Sequence, residues 1–152
     1  MAPFVVLVSL FLLLSIAGHF QFPVAYGWLT SLRLALSGMF LLTASAHWGR
    51  RRPDLIQMVP PAFSRPDILV TVTGILEILG AIGLMVPIVA SYAALGLTLL
   101  LLAVFPANIH AAKQRLSIAG RRVEPLLPRM LLQIVFVAAT LAVFLANTRP
   151  GN

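Results

Sequence analysis

The sequence predicts an all-α integral membrane protein, a bundle of about five helices that cross the bilayer. Of its 152 residues 60% are hydrophobic and only 10% are charged, and the mean hydropathy is +0.99. Soluble domains contain about 25% charged residues. A water-soluble core of this size could not enclose so many apolar side chains, whereas lipid accepts an apolar outer surface. Apolar segments close to the ~20 residues that cross a bilayer as a helix recur along the chain.

These segments are predicted to be helices, because in lipid each backbone N–H and C=O needs a partner inside its own segment. We expect one domain, 1–152, with spans at 3–20, 28–48, 68–86, 88–109 and 130–146. No Lys or Arg precedes the first segment and no A-x-A site follows it, which predicts a retained helix and not a signal peptide. Between the second and third spans, Pro60 and Pro61 interrupt an apolar stretch, so a short interfacial element is expected there.

The basic residues predict the orientation of the bundle. Nine of the eleven Lys and Arg residues lie in two alternate connections, which hold Arg50, Arg51, Arg52 and Arg65, and then Lys113, Arg115, Arg121, Arg122 and Arg129. Because cytoplasmic loops carry an excess of Lys and Arg, both connections should face the cytoplasm. The N-terminus would then lie inside, and the C-terminus, with Arg149, outside. This rule explains the net charge of +7, so nucleic acid is not expected as a partner.

The third segment carries an acid, Glu77, near its middle. The residues three and four positions away, Thr73, Gly74, Gly80 and Ala81, are all small, so this face is expected to pack against another helix. Two interpretations stay open. An intramembrane acid defaults to a functional hypothesis, here a proton or ligand site, whereas a buried acid can also fix helix packing through hydrogen bonds.

The second segment carries a polar stripe. Spacings of four, three, four and three residues place five side chains on one helical face, namely Arg33, Ser37, Phe40, Ala44 and His47. We expect this face to point into the bundle. Arg33 is the candidate partner of Glu77, and the alternative is that it extends to the outer head groups.

The fourth segment ends in "FPANIHAAKQR", where Pro106 is expected to free a backbone carbonyl near Leu102. Asn108 and His110 should lie at about the depth of His47, which predicts an inner polar cluster. The alternative is that each side chain meets lipid head groups. The candidate ligand-binding residues are therefore Glu77, Arg33, Ser37, Thr73, His47, Asn108 and His110, with Glu77 as the candidate catalytic residue.

Several kinds of chemistry are excluded or disfavoured. The chain has no cysteine, so disulfides, thiolate metal sites and redox cycles on its own thiols are excluded. Its four acids are too few for a carboxylate-bridged metal site, and no metal is expected. A bis-His haem would need His47 and His110 to face each other, and no CxxCH occurs, so haem is disfavoured. G-x-G-x-x-G, Walker and G-x-S-x-G motifs are missing.

The stretch "MVPPAFSRPDILVTVTGILEILGAIGLMVP" (58–87), followed by "FPANIHAA" (105–112), closely resembles the DoxX family of small bacterial membrane proteins. The likeness covers roughly residues 30–145. It implies a four-helix core to which the first helix here is an addition, and it matches His47, Glu77 and the glycines around it, and "FPAN" (105–108). Members of that family are associated with thiosulfate:quinone oxidoreductase and with membrane complexes of oxidative stress, and distant relatives resemble assembly chaperones.

The resemblance implies an inner-membrane protein of a redox-linked complex that binds a quinone or another lipophilic ligand. Its expected partners are the bilayer, a membrane or cytoplasmic redox protein, and a second copy of the chain. A non-enzymatic anchor or assembly factor is the alternative, in which Glu77 serves packing or partner recognition. A proton-coupled transporter is disfavoured, because so short a chain shows no inverted repeat.

Overall fold

Helices account for all the long elements of the structure. The computed structural model describes residues 2–20, 27–114, 117–118, 121–122 and 126–148. The helices are α1 (Ala2–His19), α2 (Trp28–Ser45), α3 (Arg52–Met58), α4 (Pro66–Met85), α5 (Ala90–Lys113) and α6 (Leu126–Thr148). They cover all five predicted apolar segments, and α3 occupies the predicted short element. Arg115 and Arg149, which support the predicted orientation, lie outside the described residues, as do 21–26.

A two-residue antiparallel ladder lies in the connection between α5 and α6. Its strands are β1 (Ser117–Ile118) and β2 (Arg121–Arg122), with Ser117 opposite Arg122. The sequence analysis predicted no strand here. Two residues are too short for the alternation of apolar and polar side chains that identifies a strand.

Local sequence explains where α4 begins and ends. Pro66 occupies its first turn, where the missing N–H costs nothing, and Asp67 places a negative charge at the positive end of the helix dipole. At the other end, α4 stops at Met85, shortly before Pro87. Four residues of turn then lead directly into α5. This short turn makes α4 and α5 antiparallel neighbours.

Four helices form a ring in the order α2, α4, α5, α6. Each packs against the next, and α6 closes the ring on α2. The first helix stands outside this ring and packs on α2, so it shields one face of α2. The core between the helices is apolar and includes Leu36, Phe40, Leu84, Leu97 and Val143.

Among the described helices, α1, α4, α5 and α6 are long and apolar enough to cross a membrane, which is consistent with a membrane protein. The polar helix α2 is not one of the four. It is instead the most enclosed of the long helices, with eight of its 18 residues buried, whereas Leu7 is the one buried residue in α1. A helix covered on several sides by other helices can carry polar residues that a lipid-facing helix cannot.

Glycines allow α4 to approach its neighbours closely. A Cβ added at Gly80 would lie 2.5 Å from the Leu97 side chain of α5, and one added at Gly83 would lie 2.7 Å from the Cβ of Ala93. Both separations are shorter than van der Waals contact. By contrast, a Cβ at Gly96 of α5 would meet nothing within 4 Å.

We therefore expect Gly80→Ala to destabilise the bundle by about 1–3 kcal/mol, since an added carbon in a close-packed contact forces neighbours apart. Gly96→Ala is the matched control and should be neutral or slightly stabilising, because alanine favours helix more than glycine does. Thermal unfolding in detergent, followed by circular dichroism, measures both. Equal effects of the two substitutions would contradict the close α4–α5 contact.

Candidate functional site

Polar side chains of α2, together with Arg52 at the start of α3, donate hydrogen bonds to α4 along the length of the α2–α4 contact. We call this row the polar seam, defined by the donors Arg33, Ser37, Thr43 and Arg52. Arg33 Nε lies 2.8 Å from the carbonyl oxygen of Leu84, and Ser37 Oγ lies 2.7 Å from that of Ala81. Partner numbers fall as the donor numbers rise, as antiparallel helices require.

The predicted inward stripe of α2 is confirmed in its orientation. Its five residues are all buried: Arg33, Ser37, Phe40, Ala44 and His47. The alanine carbonyl that receives the Ser37 hydroxyl belongs to a fully buried residue of α4. Small residues at this contact bring the α4 backbone within reach of so short a side chain.

Arg52 completes the seam at its other end. Its Nη1 donates to the carbonyl oxygen of His47 at 2.9 Å, and its Nη2 donates to Thr71 Oγ1 at 2.9 Å and to the carbonyl oxygen of Asp67 at 3.2 Å. The guanidinium fork thereby ties the chain just after α2 to the first turns of α4. A cation close to the negative end of the α2 dipole is also electrostatically favourable.

Glu77 lies in the middle of the seam. Thr43 Oγ1 is 2.8 Å from Glu77 Oε2, and His47 Nδ1 is 4.0 Å from the same oxygen. The side chains of Glu77 and His47 retain only 15% and 11% of their accessible surface. His47 Nδ1 also lies 3.3 Å from the carbonyl oxygen of Thr43. A carboxyl, a hydroxyl and an imidazole thus share one enclosed space between α2 and α4.

The hydroxyl of Thr43 can satisfy Glu77 in either protonation state. It has one hydrogen and lies within hydrogen-bond distance of two acceptors, Glu77 Oε2 and the carbonyl oxygen of Phe40 at 2.9 Å. Toward a carboxylate, the hydroxyl donates to Glu77. Toward a carboxylic acid, Glu77 donates to Thr43 Oγ1, and the hydroxyl turns to Phe40. A proton can therefore enter or leave without leaving a buried polar atom unpaired, which would cost about 1–3 kcal/mol.

Gly74 of α4 allows His47 to lie beside Glu77. A Cβ at this position would come within 2.7 Å of both Cβ and Cγ of His47 and within 2.8 Å of the Trp48 ring. Gly74 is one turn before Glu77, so the imidazole packs over the glycine and faces the acid. Gly74 belongs to the small-residue face predicted from the sequence, and its missing side chain leaves the space that the imidazole occupies.

An apolar crevice opens on another side of α4. It has a volume of about 260 Å³ and lies between α4 and α5. Its lining residues are Leu76, Leu79, Gly80, Ala93, Gly96, Leu97 and Leu100. Two lining residues are close to Glu77 in sequence, since Leu76 is one residue before it and Gly80 three after it. The same turns of α4 therefore carry Glu77 on one side and line the crevice on another.

The structure does not pair Arg33 with Glu77. Arg33 binds the carbonyl oxygen of Leu84, which is seven residues beyond Glu77, or about 10 Å along a helix. As expected, Arg33 lies nearer than Glu77 to the end of the bundle where α4 terminates. The distance from Arg33 to Glu77 along the bundle is too long for the arginine side chain. Thr43, one turn before His47, bonds Glu77 instead.

The predicted cluster of His47, Asn108 and His110 is also not brought together. Asn108 accepts a hydrogen bond from Arg129 and donates to Gln133 Oε1 at 3.1 Å, both on α6. Within the described part of the chain, the His110 side chain has no hydrogen bond or ion pair. The physical reason is the ring order, because α2 and α5 stand across the ring while α6 is the direct neighbour of α5.

A second polar contact joins α5 to α6. Gln133 donates to the carbonyl oxygen of Leu101, next to the Leu102 carbonyl that Pro106 was expected to free. Nearer the start of α5 in the same interface, Thr98 Oγ1 lies 2.8 Å from Thr140 Oγ1 of α6. Neither these residues nor Thr43 and Thr71 stand out in the sequence as contacts between helices, and Arg52 stands out only as a cation of the basic connection. Their signal was only that polar side chains inside apolar segments need partners.

Thr73, the remaining candidate, does not join the site. Its hydroxyl lies 2.9 Å from the carbonyl oxygen of Leu69 and 3.1 Å from that of Val70, both in its own helix. It shares the small-residue face of α4 with Glu77 but makes no hydrogen bond to another helix. No group of three His, Asp or Glu residues that could hold a metal occurs in the described ranges.

Comparison with known proteins places the chain in a family. The family described as "Domain of unknown function (DUF8561)" matches residues 36–144. The chain belongs to this family. The matched region contains Thr43, His47 and Glu77 and excludes α1, so the match covers the four-helix ring apart from the first turns of α2 and the last turn of α6. No curated protein and no solved structure matches the chain.

We expect Thr43→Val to destabilise the protein by about 1–3 kcal/mol, because it removes the hydroxyl but keeps the shape and leaves the Glu77 carboxyl unpaired. Thr73→Val is the matched control. It deletes a hydroxyl that bonds only within its own helix, and should change stability by less than about 0.5 kcal/mol. Thermal or denaturant unfolding in detergent compares them. Similar losses for both variants would contradict the Thr43–Glu77 bond.

Proposed function

We propose that the protein is a multi-pass inner-membrane protein that binds a quinone-like lipophilic ligand and exchanges a proton with it at Glu77. The observation that carries the proposal is the sharing of one hydroxyl hydrogen between Glu77 and the Phe40 carbonyl. A purely structural acid needs partners in one protonation state, whereas this arrangement offers partners in both. The DoxX resemblance supports the redox context and the choice of a quinone-like ligand.

The apolar crevice supports the choice of a lipophilic ligand. Its lining consists only of leucine, glycine and alanine, which suits an isoprenoid or acyl chain and offers nothing to a polar metabolite. At about 260 Å³ the crevice holds part of a ligand, and two of its lining residues, Leu76 and Gly80, lie in the same turns of α4 as Glu77. His47 would relay protons between this position and the cytoplasmic end of α2.

Removing the proton-exchanging group while keeping its shape tests this proposal. In Glu77→Gln, we expect the ligand content of purified protein to fall at least about tenfold, while the melting temperature changes little because the amide still bonds Thr43. Solvent extraction followed by mass spectrometry measures the content per protein. Asp67→Asn is the matched control, since it neutralises an exposed acid at the start of α4. Wild-type protein that carries no quinone or other small molecule would overturn the proposal.

The proposed topology has five spans, with the N-terminus and both basic connections in the cytoplasm. Four of the helices meet the length and hydropathy of a span on their own, and α2 would cross inside the bundle, enclosed by α1 and the ring. In this orientation the α4–α5 turn faces outward, and α3 lies at the cytoplasmic surface.

The absence of cysteine from the chain makes labelling a clean test of this topology. We expect Ile88→Cys, at a turn residue with 86% of its surface exposed, to react with a membrane-impermeant maleimide on intact spheroplasts. Gln57→Cys and Gln114→Cys, also exposed, should react only after permeabilisation, and none of the three changes alters a charge. The reverse pattern would contradict the proposed orientation.

A non-enzymatic anchor or assembly factor is the second candidate. The observation that favours it is the polar seam itself, in which Arg33, Ser37 and Arg52 are bound to α4 of the same chain and so fix packing. Under this function, Glu77→Gln would impair folding or the capture of a partner protein and leave ligand content unchanged. The same variant therefore separates the two candidates.

A further inference from the structure

We propose that the Arg33 guanidinium binds the phosphate of a phospholipid head group at the end of the bundle where α4 terminates. This site is separate from Glu77 and does not rest on the function proposed for it. Arg33 is the sixth residue of α2, about 7–8 Å from the start of that helix. Its partner Leu84 is the residue before the last of α4. The guanidinium thus lies at the depth where lipid head groups meet the acyl chains.

The bond to α4 uses one of the five N–H donors of the Arg33 guanidinium. The Leu84 carbonyl is one of the last four of its helix, which have no partner within the helix, so Nε caps α4 and its charge suits the negative end of the dipole. A guanidinium has five N–H donors. Within the described residues, the four N–H groups on Nη1 and Nη2 have no acceptor, and Nε makes the one hydrogen bond of this side chain.

The charge of Arg33 also has no counter-ion in the described part of the chain. Glu77 lies about 10 Å further along α4 and is engaged with Thr43 and His47. Asp54 and Asp67 belong to α3 and to the first turn of α4, at the other end of the bundle. Only 8% of the Arg33 surface is exposed, so water solvates the ion poorly, and an enclosed unpaired charge is strongly unfavourable.

A phosphate group fits both the donors and the surroundings. Its oxygens match the planar fork of a guanidinium bidentately. The neighbouring surface is apolar, with exposed Trp28 at the start of α2 and exposed Val86 and Ile88 in the turn after α4. An ion held there needs apolar chains beside it, which a phospholipid has and inorganic phosphate lacks. Tryptophan at this level is typical of the membrane interface.

Two lipids that differ only in phosphate provide the test. Native mass spectrometry of the full chain in a phosphate-free detergent would compare retention of phosphatidylglycerol with retention of a diacylglycerol carrying the same acyl chains. We expect the wild type to keep one phosphatidylglycerol at least about tenfold more strongly, since hydrogen bonds to charged groups are strong. Equal retention of the two lipids would overturn the proposal, and this comparison requires no mutant to fold.

Variants then assign the phosphate to Arg33. Arg33→Gln should lose the retained lipid and Arg33→Lys should hold it more weakly, while Arg50→Gln, which removes one exposed cation at the other end of α2, should retain it. Unchanged retention in a folded Arg33→Gln protein would overturn the assignment. In a parallel arm, a rise in melting temperature with inorganic phosphate, without lipid retention, would overturn the lipid as the source of the phosphate.

Discussion

Polar side chains enclosed between apolar helices have no water to bond, and the protein meets this constraint by bonding α2 to α4. The donors of the polar seam lie on α2 and at the start of α3, and their acceptors follow in reverse order along α4: Leu84, Ala81, Glu77, and then Thr71 with Asp67. A slip of one turn between the two helices would break every bond of the row at once. The seam therefore sets the register of α2 on α4, and the apolar contacts of the core follow from that register.

The position of α1 follows from the same constraint. A helix as polar as α2 is stable in lipid only where neighbours cover it, and α1 covers the side that the ring leaves open. A Cβ at Gly38 of α2 would lie 2.5 Å from a methyl group of Leu10, so the two helices touch closely. Of the 18 residues of α1, eight are exposed and Leu7 alone is buried, so α1 is the least enclosed of the long helices. The family match begins within α2, so α1 is an addition to the ring.

Much of this could be predicted from the sequence, because apolar length and helical periodicity are local properties. The five helices, the short α3, the inward stripe of α2 and the small-residue face of α4 all follow from spacing. The partners did not follow, since periodicity gives the direction of a side chain on its own helix but not the register between two helices. The charge of Arg33 made it the candidate partner of Glu77, yet the two lie at depths that differ by about 10 Å. Thr43 therefore bonds Glu77, and Arg33 bonds the end of α4. Similarly, Asn108 binds α6 because ring order, which sequence does not specify, decides its neighbour.

The contact between Thr43 and Glu77 joins the polar seam to the proposed proton-exchanging group, and a double-mutant cycle measures it directly. Thr43→Val, Glu77→Met, whose side chain is of similar length but cannot bond Thr43, and the double variant would be unfolded in one detergent under identical conditions. The two side chains share a buried hydrogen bond of 2.8 Å, so the losses should be non-additive, with a coupling free energy of about 1 kcal/mol or more. Additive losses, with a coupling free energy near zero, would show that Glu77 and Thr43 act independently and would contradict the account.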